Sequence, residues 1–232
     1  MRLPAVKNLG LPVLAVVGPP KMQSATLRHL LLALILTSST GVTSASTILI
    51  FNTGVNPAGT PLPNGAVDPH YVLSSTDATA PGPNALVVNP AAGWTNNTAT
   101  SKWISQTAGA QGAAGAVYTY TTTFGLTGFD LATTQLSGQL AADDSANIIL
   151  NGIDLGTFAP APGWATFHPF LITSGFNSGT NTLSFQVVNT TGGPSGLQVQ
   201  VSGEGTPQLT PEPATLGLIG LGLAALIFVR RK

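Results

Sequence analysis

The regular alternation of apolar and polar residues in the middle of this chain is the feature that most limits its fold. Residues 197–202 (Leu-Gln-Val-Gln-Val-Ser) and 183–187 (Leu-Ser-Phe-Gln-Val) alternate without a break. Residues 117–124 consist of β-branched and aromatic side chains, with most threonines on one face and tyrosine and phenylalanine on the other. Because successive side chains of a β-strand point to opposite faces, these segments are predicted to be strands with one face in a core and one in water.

Turn-forming clusters separate the predicted strands. Asn, Pro and Gly are concentrated at residues 56–59, 81–84 and 151–152, and these residue types break helices and form tight turns. No window of residues 47–205 shows the 3.6-residue apolar period of a helix. About ten short strands with frequent turns predict an all-β fold, a two-sheet jelly-roll-like sandwich. The other predicted strands are residues 47–51, 71–74, 85–88, 102–105, 135–141, 146–150 and 165–172.

The chain ends with a Pro-Glu-Pro tripeptide, an uncharged apolar run and a basic cluster. The run, residues 214–229, spans roughly 24 Å as a helix, somewhat less than the roughly 30 Å hydrocarbon core of a bilayer. It predicts a single, minimal C-terminal transmembrane helix with its basic end in the cytoplasm and the preceding residues across the membrane. The tripeptide is Pro211, Glu212 and Pro213, and the basic cluster is Arg230, Arg231 and Lys232.

This order of tripeptide, glycine-bearing apolar segment and terminal basic cluster resembles the PEP-CTERM sorting signal of Gram-negative bacteria. The resemblance implies export, a precursor held in the inner membrane by its C-terminal helix, and an exosortase as processing partner. Cleavage near the tripeptide then leaves the protein at the cell surface, in the outer membrane or outside the cell. An ordinary tail anchor is the alternative interpretation of the same residues.

A secretory signal is predicted near the other terminus. Arg28 and His29 form a positive flank, residues 30–36 an apolar core, and residues 43–45 a small-residue cleavage region. Met22 is therefore the better initiator, and cleavage is expected after residue 45 or at a neighbouring bond. The predicted organisation is a leader and signal peptide over residues 1–46, a β-sandwich over 47–205 and a sorting and anchor segment over 206–232.

Removing both ends leaves an acidic domain. Lys102 is the sole lysine or arginine between residues 47 and 210, against seven Asp and Glu residues, so the net charge there is about −6. Such a surface repels phosphates and lacks the cations that nucleic-acid binding requires, so nucleic acid is excluded as a partner. The sequence contains no cysteine, which excludes disulfides, thiol nucleophiles and cysteine metal sites.

A second pattern runs through the central region, where an acidic strand leads into an Asn-Gly turn and a Gly-x-Asn-x-Leu segment follows late. Its residues are 51–55, 65–71, 93–94, 101–104, 118–120, 122–124, 126–128, 142–145, 149–152, 170, 172, 175–176, 179–183, 189 and 196–197. This pattern resembles an extracellular module that recurs in PEP-CTERM proteins and is similar to galactose-binding-like jelly rolls, in which both features are typical. The resemblance implies a fold more firmly than a function, because such sandwiches have binding, structural and enzyme-accessory roles alike.

Acidic residues flank one predicted strand. Asp143 and Asp144 precede residues 146–150, and Asp154 follows them. Oxygen ligands close together in sequence suit Ca²⁺, which makes these three a candidate calcium site. The alternative is that Asp, Ser, Asn and Gly simply form turns here, with Asn-Gly favouring a tight hairpin. The spacing does not match an EF-hand loop, and no other cofactor is expected.

Tryptophans are the candidate carbohydrate contacts, since aromatic rings stack on the apolar faces of sugar rings. Trp94 and Trp164 lie beside glycines in predicted loops and are expected to be exposed. Trp103 lies in a predicted strand and is expected in the core. The alternative for each is that it fills the sandwich core or plugs one of its ends.

No catalytic residues are predicted. The nucleophile-elbow and metalloprotease motifs are absent. As sequence neighbours, Asp143 and Asp144 are expected to point apart, which disfavours a paired-carboxylate mechanism. We therefore expect a non-enzymatic, exported protein of the cell surface or extracellular polysaccharide matrix. The first alternative is a carbohydrate-binding module for exopolysaccharide, and the second an exopolysaccharide-processing enzyme.

Overall fold

A computed structural model describes residues 44–208 and 213–230. Residues 1–43 of the predicted leader and signal peptide, including the initiator Met22, lie outside the described residues, as do Pro211, Glu212, Arg231 and Lys232. The described part of the chain contains thirteen strands and one helix, α1 (Pro213–Arg230). The strands are β1 (Ser46–Ile48), β2 (Val67–Ser75), β3 (Asn84–Val87), β4 (Ile104–Ser105), β5 (Gln111–Gly112), β6 (Ala116–Gly125), β7 (Gln135–Asp143), β8 (Ser145–Leu150), β9 (Ile153–Ala159), β10 (His168–Ile172), β11 (Thr180–Asn189), β12 (Gly193–Pro194) and β13 (Gly196–Gly205).

The strands form a sandwich whose two layers are joined at a corner. Hydrogen bonding follows the order β10-β7-β13-β4-β3-β2-β6-β11-β8-β9, with β1 paired to β13. The short strands β3 and β4 turn the corner between a layer of β10, β7, β13 and β1 and a layer of β2, β6, β11, β8 and β9. Strand β7 contacts β9 and β11 across the interior. Strands β5 and β12 form a separate two-stranded pair.

The core fills the space between the two layers. It takes the inward residues of each strand, as the alternation predicts. The largest fully buried side chains include Tyr71, Tyr118, Tyr120 and Phe185. A smaller cluster lies on the outer face of β7 under the loop of residues 89–103 and includes Trp94, Trp103 and Ala141.

The predicted all-β sandwich is confirmed, and each predicted strand overlaps an observed one. The Asn-Gly turn is also found, since Asn151 and Gly152 both have positive φ between β8 and β9. Strand β9 was not predicted. It is an edge strand with mostly exposed side chains and an internal glycine, Gly156, so it lacks the apolar alternation of a half-buried strand.

The chain remains tied to the sandwich up to residue 208. Pro207 bridges to Phe129, and the Gln208 amide donates to the Gly128 carbonyl at 2.7 Å. Helix α1 begins at Pro213, the first-turn position that proline favours. The transmembrane helix predicted for residues 214–229 is not confirmed: among the described residues, no helix is long and apolar enough to cross a membrane.

Candidate functional site

A row of polar side chains crosses the outer face of the β7–β13 pair. The antiparallel register places Gln139 opposite Gln200 and Ser137 opposite Ser202. Gln139 Nε2 donates to Gln200 Oε1 at 2.6 Å, and the two serine hydroxyls lie 3.2 Å apart. We call this row the amide track; its members are Gln135, Ser137, Gln139, Gln200, Ser202 and Glu204.

A cleft of ≈ 320 Å³ opens over the amide track. Asn52 and Thr100 complete its walls. Asn52 Oδ1 accepts the Val201 amide at 2.7 Å, while Asn52 Nδ2 donates to the Thr100 carbonyl at 2.9 Å. No charged side chain lines the cleft, so it presents only amides, hydroxyls and backbone groups to solvent.

The aromatic cluster lies at one end of the amide track. Ala141 is the next outward residue of β7 after Gln139, about 7 Å away along the strand, and it is buried under Trp94 and Trp103. The partly buried Trp164 packs on the same cluster, together with Phe167. The aromatic cluster therefore lies beyond the Gln139 end of the amide track, and Trp164 is its tryptophan with accessible surface.

Trp94 is buried, and the expectation that it is exposed is wrong. It is 7 % exposed, its ring centroid lies 4.0 Å from that of Trp103, and its Nε1 donates to Asp143 Oδ2 at 2.6 Å. A Cβ on Gly196 would lie 2.9 Å from the Trp94 ring, so this glycine makes room for it. Trp164 is half-buried and is the tryptophan with accessible surface. Trp103 is fully buried, as predicted.

Asp143 and Asp144 interact, contrary to the expectation that they point apart. Strand β7 ends at Asp143 and β8 begins at Ser145 in the other layer, so the alternation of a continuous strand does not apply here. Burial and, to a smaller extent, the neighbouring Asp144 carboxyl raise the pKa of Asp143 to about 7, although the hydrogen bond from the Trp94 N–H lowers it. Asp144 Oδ2 accepts the Thr190 amide at 2.7 Å.

The three residues of the candidate calcium site do not come together. Asp154 pairs with Ile149 near the far end of β8, about 17 Å along the strand from Asp144. Its carboxylate instead accepts hydrogen bonds from Asn147 Nδ2 and the Gly156 amide. Within residues 44–208 and 213–230, no three acidic or histidine side chains lie close enough together to hold a metal ion.

The sequence alone did not identify the amide track. Alternation in residues 197–202 correctly put Gln200 on an outer face, while residues 135–141 were predicted only as a strand. What it lacked was the pairing of β7 with β13, two strands far apart in the sequence, which places these side chains opposite each other. The available signal was that both segments carry glutamine and serine at alternate positions.

Comparison with known proteins identifies the end of the chain. Residues 209–232 match the PEP-CTERM protein-sorting motif. The chain therefore carries a PEP-CTERM sorting signal and is an exported protein. No curated protein matches the sequence.

Solved structures similar to the chain include carbohydrate-binding modules. A family 35 module from an environmental isolate is 19% identical, with 63% of this chain and 95% of that chain covered and a TM-score of 0.34. A family 35 module from Clostridium thermocellum is 13% identical, with 57% and 90% covered and a TM-score of 0.33. A variant of a family 29 module complexed with mannohexaose is 12% identical, with 71% and 92% covered and a TM-score of 0.36. At these TM-scores the likeness supports no inference about a ligand.

Proposed function

We propose that this exported protein is a non-enzymatic component of the cell surface or extracellular matrix, and that its sandwich binds neutral polysaccharide along the amide track. The observation that carries the proposal is the uncharged cleft of amides and hydroxyls. The aromatic cluster that includes the half-buried Trp164 lies past Gln139 on the same face of β7. Sugar hydroxyls both donate and accept hydrogen bonds, and so do the glutamine and asparagine amides of this cleft. A partly exposed indole offers the apolar surface on which a sugar ring packs.

The charge of the domain favours a neutral polymer over an acidic one. Glu204 lies at one end of the amide track, and Lys102 is the single lysine or arginine between residues 47 and 210. An acidic polysaccharide would meet repulsion from about six net negative charges. The half-buried Gln139 and Gln200 already bond each other and Thr98, so part of the binding surface is held in place before a ligand arrives.

Processing of polysaccharide is the second candidate function, and the raised pKa of Asp143 is the observation that favours it. A carboxyl group that keeps its proton near neutral pH is what a general acid needs. Asp143 is 7 % exposed, however, and one of its oxygens is taken by Trp94. The two carboxyl groups also interact directly, whereas glycoside hydrolases hold theirs roughly 5 to 9.5 Å apart. We therefore assign Asp143 and Asp144 to structure.

Affinity electrophoresis of the full chain through gels containing neutral or acidic polysaccharides tests the binding proposal. We expect a neutral polymer to retard the protein, and the double variant Gln139→Ala/Gln200→Ala to bind about tenfold more weakly, since two hydrogen-bonding side chains are lost. Gln186→Ala is the matched control, because Gln186 is half-buried on β11 in the other layer. The proposal would be contradicted if no neutral polymer retarded the protein, or if the double variant bound as tightly as the unaltered protein.

A further inference from the structure

A second cluster of amides lies beneath the two-stranded pair of β5 and β12, which we call the flap. Gln106 comes directly after β4, and Asn189 is the last residue of β11. Gln106 is 6 % exposed and Asn189 1 % exposed. Gln106 Nε2 and both polar atoms of the Asn189 side chain have no hydrogen-bond partner. Since buried polar groups are rarely left unpaired, three such atoms in one place require an explanation.

These groups converge on the underside of the flap at Gly112. A Cβ placed on Gly112 would lie 2.7 Å from Asn189 Nδ2, 2.7 Å from the Tyr118 hydroxyl and 2.8 Å from Gln106 Nε2. Gln106 Oε1 meanwhile accepts from the Ser105 and Tyr120 hydroxyls. One polar end of the Gln106 amide therefore faces Gly112 whichever way the amide is turned.

The floor of this cluster defines what kind of group could bind there. Asp77 accepts the Tyr118 hydroxyl at 2.7 Å, and hydrogen bonds from Thr79 and Tyr118 lower the pKa of Asp77 to about 2. A permanent negative charge at the floor repels phosphates and carboxylates. Asn189 offers both a donor and an acceptor, and the Tyr118 and Tyr120 rings supply apolar walls. A neutral group that carries hydroxyls matches this combination.

The flap is joined to the rest of the domain by few contacts. Its strands pair through only two residues each, Gly193 with Gly112 and Pro194 with Gln111. Residues 108–116 contain only alanine, glycine and one glutamine, so no large side chain packs the flap on the core. The buried Ala110 and the hydrogen bond from the Ala113 amide to the Tyr118 hydroxyl at 2.9 Å hold it closed. Segments with few buried apolar contacts open at low free-energy cost.

We propose that the flap covers a second binding site, in which Gln106, Asn189 and Tyr118 hold a neutral hydroxyl-bearing ligand such as a single sugar unit or a polyol. The site lies at the end of the sandwich, uses none of the residues of the amide track, and binds when the flap lifts. The ligand supplies the hydrogen bonds that the two amides lack within the closed protein.

Thermal unfolding of the full chain with D-glucose, D-galactose, D-mannose, N-acetyl-D-glucosamine, myo-inositol and glycerol tests this site. At least one of these probes should raise the Tm in a saturable way. Gly112→Ala puts a methyl group where the three polar atoms converge and should weaken that binding at least tenfold. Gly109→Ala is the matched control, because a Cβ there meets nothing within 4 Å, and it should bind as the unaltered protein does.

The same assay separates this site from the amide track. Gln139→Ala/Gln200→Ala should leave the Tm increase unchanged, and loss of the increase in that variant would place the ligand on the amide track and overturn the proposal. Should Gly112→Ala not fold by circular dichroism, Asn189→Leu replaces it with the same expected loss. The proposal is also overturned if no probe raises the Tm of the unaltered protein. It is equally overturned if the Tm increase in Gly112→Ala, or in Asn189→Leu used in its place, is as large as in the unaltered protein.

Discussion

At Asp143, burial opposes ionisation of the carboxyl group and raises its pKa. Its carboxyl group lies under Trp94, and Ser195 Oγ donates to its backbone carbonyl at 3.1 Å. It therefore joins the loops of residues 89–103 and 190–195 to the end of β7. The folded protein binds the Asp143 proton more tightly than the unfolded chain does, because the pKa rises from 3.8 to about 7 on folding.

The stability of the protein should therefore depend on pH through Asp143. With the folded pKa above the unfolded one, the contribution is fully present below pH 3.8 and is lost as the pH rises through about 7. Asp143→Asn, which cannot ionise and keeps an acceptor for Trp94, should unfold at a higher temperature than the unaltered protein at pH 8. Its Tm should also fall less between pH 4 and pH 8.

Thermal unfolding followed by circular dichroism across this range measures the effect. Asp154→Asn is the control, since Asp154 is exposed on β9 and should leave the slope unchanged. Equal pH slopes for Asp143→Asn and the unaltered protein would show that Asp143 does not carry the dependence.

At the scale of elements, β13 holds its layer together because it pairs with β7, β1 and β4. Its pairing with β1 requires small residues. A Cβ on Gly203 would lie 2.7 Å from Leu136 Cδ2 and 2.9 Å from Ile48 Cβ. Ile48 is the buried residue of β1. The absence of a side chain at Gly203 therefore allows Ile48, and with it β1, to pack closely against β13.

Gly203→Ala should destabilise the protein by about 1–3 kcal/mol, because the added methyl group overpacks the contact between β13 and β1. Chemical denaturation measures the change in the free energy of unfolding. The matched control is Gly125→Ala at the end of β6, where a Cβ meets nothing within 4 Å. A smaller loss for Gly203→Ala than for Gly125→Ala would mean that β1 is not held by this contact.

Local sequence patterns sufficed for most strands and failed where distant pairing decides the outcome. Residues 117–124 and 197–202 alternate so regularly that their burial follows from the sequence, except at Gln198, which the alternation places in water and the structure buries. The exposed edge strand β9 and the flap strands have no such pattern, because their pairing is set by neighbours rather than by a buried face. The candidate site shows the same limit: Trp103 was placed correctly, but the burial of Trp94 depends on Asp143 and Gly196, which only the folded sheets bring close to it.

At the scale of the whole molecule, we expect the sandwich and the sorting signal to be separable parts of one chain. The last pairing of the sandwich involves Pro207 and Gln208, and the sorting motif begins at residue 209. Deleting residues 209–232 should leave the Tm unchanged and redirect the protein from the surface to the periplasm or the medium. Cell fractionation with immunoblotting measures the redistribution.

A second variant distinguishes the tripeptide from the apolar segment. Replacing Pro211, Glu212 and Pro213 by alanine keeps residues 214–232 and should leave the precursor uncut, with less protein at the surface. Surface protein at the normal level in the deletion strain would contradict the role of the segment as a sorting signal.

The hydrogen bond between Gln208 and Gly128 has a consequence for what the finished molecule looks like from outside the cell. Only Leu209 and Thr210 separate that bond from the tripeptide, so a cut near Pro211 would leave almost no loose stalk. A molecule joined to the new carboxyl terminus would then lie close to the loop of residues 126–134, which connects β6 and β7. The amide track and the flap would then be held at a fixed distance and orientation from whatever is joined to the carboxyl terminus.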